Sequence, residues 1–182
     1  MKKIAVIYGS SRPSKVGKQV ADWFVNEAEP NKDFEFIMID LAELNLPILS
    51  EPIPPIAAQY SQQSTIDWGK TIADMDAVIF VVAEYNLGYT AILKNAIDTL
   101  FHEWNEKPGA VISYGAFPES SAAAQLRTVL GVFKMKLAEK TLHVKQISDA
   151  ISEDGTIDDS HVTGDLPQDI IGAVTNALGV QS

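Results

Sequence analysis

From Ala77 to Ala83 the chain is apolar without interruption and rich in β-branched side chains. Such a run suits a strand covered on both faces, as in a parallel sheet. Glu84-Tyr85-Asn86-Leu87-Gly88 stops it. A helical period then opens near Thr90, with apolar residues at Ile92, Leu93, Ala96, Ile97 and Leu100. The same unit recurs along the chain. Lys3 to Tyr8 reads as a first buried strand, Val16 to Glu27 as a helix with Val16, Val20, Trp23 and Phe24 on one stripe, and Phe34 to Ile39 as a second strand. Gly109 to Tyr114 is the fourth strand, followed by a helix over Ser121 to Leu137. Thr141 to Val144 is a short fifth strand, and a helix from about Pro167 to Leu178 closes the chain. Alternating strand and helix predict a parallel sheet with crossover helices. The count matches a single flavodoxin-like domain over residues 1–182, a three-layer α/β/α sandwich with five parallel strands in the order 2-1-3-4-5.

One stretch breaks the rhythm. Asp40 to Ser61 carries Pro47, Pro52, Pro54 and Pro55 among Leu46, Ile48, Leu49, Ile53 and Ile56. It is too apolar for a free linker, so it is expected to pack over the sheet end or against a second subunit. Ser64 or Thr65 is placed to cap the helix that follows, which runs to about Met75. Asp154-Gly155 marks an acidic turn.

Composition narrows the function classes. The chain has no cysteine, which excludes disulfides, thiolate metal sites and cysteine nucleophiles. A net charge of −10 argues against nucleic acid as a partner. No apolar run approaches the roughly 20 residues of a membrane helix, so no membrane insertion is expected. The start, Met1-Lys2-Lys3 and a short apolar stretch, reads as a strand and not as a signal peptide, and the simplest location is the cytoplasm.

The strand ends carry the candidate chemistry. Ligands of doubly wound folds bind where strands end at their carboxyl side. The first such loop, Gly9-Ser10-Ser11-Arg12-Pro13-Ser14-Lys15-Val16-Gly17, combines hydroxyls, cationic side chains and an oncoming helix N-terminus, which together favour an anion. It lacks both the Gly-x-Gly-x-x-Gly and the Gly-Lys-Ser/Thr patterns, so a terminal monophosphate suits it better than a nucleoside triphosphate. A solvated, capped helix start is the plainer alternative. His102, His143 and His161 are scattered without metal-ligand spacing, and their expected roles are core or surface. No Gly-x-Ser-x-Gly elbow occurs.

Taken in order, Gly9-Ser10-Ser11-Arg12-Pro13 with Gly17, Glu84-Tyr85-Asn86, Leu93-Lys94-Asn95-Ala96-Ile97-Asp98, Glu103-Trp104-Asn105, Ser113-Tyr114-Gly115 and Leu126-Arg127 resemble the NADPH-dependent FMN reductase family. The resemblance spans about Lys2 to Leu142. It implies an FMN cofactor, NADPH or NADH as electron donor, and a small-molecule electron acceptor such as a quinone or a free flavin. It places the FMN phosphate at Ser10, Arg12, Lys15 and Gly17. It places the ring and ribityl chain along Glu84, Tyr85, Asn86 and Leu87, and the pyrimidine edge at Tyr114 and Gly115. No side-chain acid or base is implied, and the start of the Ser121 helix is available to support negative charge near flavin N1. It also implies a homodimer or homotetramer, with the 40–61 segment and Trp104 at the interface.

Three positions depart from the family pattern. Ala83 stands where proline usually opens the second loop, Tyr89-Thr90-Ala91 lacks a later proline, and Phe117-Pro118-Glu119-Ser120-Ser121 replaces a glycine pair. Glycine lets backbone approach a ligand closely, whereas Pro118 removes an N–H donor and Glu119 brings an anion to where reduced flavin gains charge. Two alternatives follow: a flavodoxin-like electron carrier, and a flavin-free member acting as a ligand-binding or interaction module.

Overall fold

The computed structural model describes residues 1–13, 16–28 and 34–179. β1 (Lys2–Tyr8) leads through the first loop to α1 (Gly17–Ala28), then β2 (Phe34–Asp40) and a one-turn helix α2 (Leu41–Leu44). α3 (Gln63–Ala73) precedes β3 (Ala77–Tyr85), which turns back through a two-residue strand β4 (Gly88–Tyr89) into α4 (Ala91–Asp98). β5 (Pro108–Tyr114), α5 (Ser121–Gly131) and β6 (Lys136–Leu137) follow. After them come β7 (Leu142–Val144), α6 (Ile147–Ala150), β8 (Val162–Gly164) and α7 (Pro167–Ala177).

The main sheet runs β2-β1-β3-β5-β7-β8. Its first five members are parallel, in the 2-1-3-4-5 order of the flavodoxin-like fold. The sheet is nevertheless larger than the five strands expected. β8 adds an antiparallel edge with Leu142 opposite Gly164, β6 pairs with the start of β5, and β4 forms a hairpin with β3. These are two- and three-residue strands, too short to leave a period in the sequence.

Alternation along the strands sorts the core into two layers. Ile4, Val6, Ile79, Val81 and Ile112 face α1 and α7, meeting Val20, Phe24, Ile170 and Val174. Ala5, Ile7, Val78, Phe80 and Val111 face α3, α4 and α5, meeting Trp68, Ile72, Leu93, Ile97, Leu126 and Leu130. Both faces of the central strand β3 are therefore covered, which explains why its sequence is apolar without alternation.

Three local expectations are corrected. The helix expected from Ser64 or Thr65 begins at Gln63, and its N-terminal position, Gln62, makes no side-chain cap. Glu51 serves there instead, accepting from the Ser61 N–H at 2.9 Å and the Gln62 N–H at 3.0 Å. The helix expected to reach Leu137 ends at Gly131, and Leu137 lies in β6. Trp104 is no interface residue. It is fully buried, its indole N–H donates to the Ile97 carbonyl at 3.1 Å, and its ring packs edge-on against Trp68 at 6.1 Å. Of the 40–61 segment, Leu46 packs into the core. The backbone is tied to α4, where Asn95 accepts from the Leu49 N–H and donates to the Pro47 carbonyl, each at 2.9 Å. Ile48 and Ile56 stay exposed, at 76% and 57%.

Candidate functional site

The loops leaving β1, β3 and β5 meet α6 around a cleft of about 340 Å³. Ser10, Arg12 and Val16 come from the first loop, and Glu84 and Tyr85 from the end of β3. Tyr114, Gly115 and Ala116 come from the end of β5, and Ile147 and Ser148 from α6. Six of the residues expected from sequence thus share one cavity. Gly17 adjoins it, for a Cβ placed there would lie 2.9 Å from the Tyr114 hydroxyl. Lys15 falls outside the described residues. Asn86 and Leu87 do not line the cavity; they form the exposed turn between β3 and β4.

Each wall has a local cause. β1 and β3 run parallel and adjacent, with Tyr8 opposite Val81, so the first and second loops emerge at the same edge of the sheet. Ser10 is 3% exposed, and its Oγ shares a 2.5 Å hydrogen bond with the Tyr85 hydroxyl in which either oxygen can donate. Arg12 is exposed, and α1 carries no acidic residue in its first turn to compete for an anion. The third loop is anchored from behind. The Gly115 N–H donates to the Val144 carbonyl, and the Gly115 carbonyl accepts from the Ile147 N–H, both at 3.1 Å. The His143 Nε2–H donates to the Phe117 carbonyl at 2.8 Å, leaving Nδ1 to accept from Ser113 Oγ at 2.9 Å. With both nitrogens engaged, His143 holds the loop as a core residue and is not available for catalysis. Burial pushes the Tyr114 phenol above its ordinary pKa, with Tyr85 adding to the rise and Arg12 opposing it.

The sequence reading of the third loop is revised in two respects. Glu119 does not face this cleft; it lines a second one, of about 260 Å³, with Pro118, Arg127 and Thr163. Nor are two of the N–H groups at the start of α5 free to receive negative charge. The Ala122 N–H donates to Glu84 Oε2 at 3.0 Å and the Ala123 N–H to Ser120 Oγ at 3.1 Å. Val16, Ala116, Ile147 and Ser148 were not anticipated as cleft residues. Val16 has the period of a buried helix stripe, and α6 is a four-residue helix with no sequence signature.

The donor set suits FMN. A cation and hydroxyls stand before a helix whose first turn carries no acid, which suits a phosphate. The phenols of Tyr85 and Tyr114 can meet a polyhydroxylated chain, and the apolar Val16, Ala116 and Ile147 can take a planar ring. Among the described residues no group of His, Asp or Glu is arranged for a metal, and no helix is long and apolar enough to cross a membrane.

Comparison with known proteins agrees. The model of the NADPH-dependent FMN reductase family matches residues 2–149. An NAD(P)H-dependent FMN reductase of Schizosaccharomyces pombe is 41% identical over 75% of this chain and 69% of its own. A 2-hydroxy-1,4-benzoquinone reductase of a Burkholderia species is 32% identical over 85% of each chain. A solved flavoenzyme NAD(P)H:(acceptor) oxidoreductase of Paracoccus denitrificans superposes with a TM-score of 0.64 at 23% identity. The match covers 98% of this chain and 96% of that one, a likeness of fold. With its sheet order, its convergent loops and the family match over most of its length, the chain belongs to the NADPH-dependent FMN reductase family.

Proposed function

We propose that the cleft holds FMN, with its phosphate at Ser10, Arg12, Lys15 and Gly17, its ribityl chain and ring along Glu84 and Tyr85, and its pyrimidine edge at Tyr114 and Gly115. By family the chain is an FMN- and NAD(P)H-dependent oxidoreductase. The observation that carries the placement is the meeting of three strand-end loops in one cavity with Arg12 at its mouth. FMN held there would supply the two-electron chemistry between NAD(P)H and an acceptor.

The protein's part is positional. Arg12 offers a charge-assisted contact to the phosphate. Tyr114, a neutral phenol, offers a hydrogen-bond donor to the cavity. Val16 and Ile147 exclude water from the ring. The acceptor is a small molecule, and the reductase relatives named for a benzoquinone and for quinones support a quinone. We take the chain to be a single cytoplasmic domain that assembles as a homodimer or homotetramer. The exposed Ile48, Ile53 and Ile56 support such a contact.

The test is a visible absorbance scan of purified protein before and after FMN addition and desalting, followed by NAD(P)H oxidation with quinone. Retained flavin bands and quinone-dependent turnover are expected. A flat spectrum after loading would favour a flavin-free ligand-binding module, and retained flavin without NAD(P)H oxidation would favour an electron carrier.

A further inference from the structure

Glu84 carries features that holding a flavin does not require. Its Oε2 accepts from Ser120 Oγ at 3.1 Å and from the Ala122 N–H at 3.0 Å. Ala122 lies in the first turn of α5, an eleven-residue helix, so the carboxylate occupies the positive end of that helix dipole. Its Oε1 is buried and meets no donor among the described residues. The side chain is part of the cleft wall, and its Cβ lies 3.2 Å from the point a Cβ on Gly115 would occupy. Arg12 is the one cation among the described lining residues, and it stands in the first loop, at the proposed phosphate end.

We propose that Glu84 sets the reduction potential of the bound flavin: a carboxylate in the cleft wall, satisfied on one oxygen only, opposes the negative charge that reduction adds to the ring and so makes the reduced cofactor a stronger electron donor. The inference rests on the cleft being the FMN site. Two things strengthen it. Glu84 is hydrogen-bonded to the helix N-terminus that would otherwise stabilise that charge, so the Ala122 and Ala123 N–H groups there are already engaged. The site is also partly closed to water, where fixed charges act more strongly than in solvent. The same carboxylate places the third loop, because Ser120 is both its donor and the cap of α5. Charge and position can be separated: glutamine keeps an acceptor oxygen for Ser120 and Ala122 but carries no charge, whereas alanine loses both.

The experiment compares FMN-loaded wild type, Glu84→Gln and Glu84→Ala by midpoint potential, read spectroscopically against reference dyes, and by the Kd for oxidised FMN. For Glu84→Gln the expected result is a more positive potential with oxidised-FMN affinity nearly unchanged. Equivalently, the preference for reduced over oxidised flavin rises on the order of tenfold. Glu84→Ala should also lose affinity for oxidised FMN, and the glutamine variant should restore it. An unchanged potential in Glu84→Gln overturns the proposal. So does loss of FMN from that variant, since the charge would then be holding the flavin and not opposing its reduction. Arg12→Ala separates the two levels: weakened FMN binding there with an unmoved Glu84→Gln potential sinks the tuning role alone, while no effect in any variant sinks the site as well.

Discussion

Ser10 and Tyr85, seventy-five positions apart, share a hydrogen bond of 2.5 Å that ties the first loop to the second across the floor of the cleft. A partly buried hydroxyl pair of this kind contributes about 1 kcal/mol beyond its separate parts. The double-mutant cycle Ser10→Ala and Tyr85→Phe, followed by urea unfolding, should therefore show a coupling of that size. Additive losses would mean that the two hydroxyls act independently.

Arg12 is exposed and offers its charge to the solvent-facing mouth of the cleft. Arg12→Ala should weaken FMN binding by about 1.5–3 kcal/mol, roughly ten- to hundredfold in Kd, with little change in stability. Fluorescence titration of FMN checks this, and unchanged affinity removes Arg12 from the site.

Gly17 leaves room for the Tyr114 phenol. A Cβ at position 17 would sit 2.9 Å from the hydroxyl oxygen but 3.7 Å from the ring carbon that bears it. Gly17→Ala should therefore displace Tyr114 and reduce FMN affinity. In the Tyr114→Phe background the added methyl meets only ordinary contacts, so Gly17→Ala should cost little further affinity there. Equal losses in both backgrounds would mean that the phenol oxygen is not the obstacle.

Asn86 and Leu87 form the two-residue turn between β3 and β4 with φ of 51° and 65°. Both central positions of such a hairpin turn need positive φ, which suits Asn-Gly and strains leucine by about 1–2 kcal/mol. Leu87 is 51% exposed, so little packing offsets that strain. After allowance for the greater freedom of glycine in the unfolded chain, Leu87→Gly should stabilise the protein by about 0.5–1 kcal/mol. A thermal melt that moves down would show that the leucine side chain holds contacts worth more than the strain.

Glu51 is held at about 2, against an ordinary 4.5, chiefly by the Ser61 hydroxyl and then by the Ser61 and Gln62 N–H groups. A depressed folded value means that the stabilisation is complete above about pH 4.5 and is lost as pH falls through about 2. Exchange of the Ser61 and Gln62 amides should accelerate, relative to unprotected amides, as the pH falls through that window. Glu51→Gln should remove the transition; if the transition persists, another carboxyl controls the start of α3.

Much of this architecture is legible in local pattern. Ala77 to Ala83 announces a doubly covered strand because both of its faces are buried, and burial on both faces leaves no polar alternation. Thr90 and Pro167 mark helix starts because capping and the fixed φ of proline act on the next turn alone. The hydroxyls and cation of the first loop, Ser10 and Arg12, are equally local, a matter of which residues separate a strand from a helix.

The remainder depends on segments that meet only after folding. Trp104 sits in a polar stretch and looks like surface, yet the layer beneath α4 takes it in whole. Glu51 caps a helix from a loop eleven residues away, and Glu84 reaches the start of α5 across thirty-eight positions. Glu119 reads as the anion beside the cofactor, but the sheet turns it into a neighbouring cleft and sets Glu84 in the wall instead. A propensity or a turn is settled by bonds within a few residues, so the chain states it directly. Which carboxylate faces the cleft depends on the distance between separate loops, and the packing of helices on the sheet sets that distance.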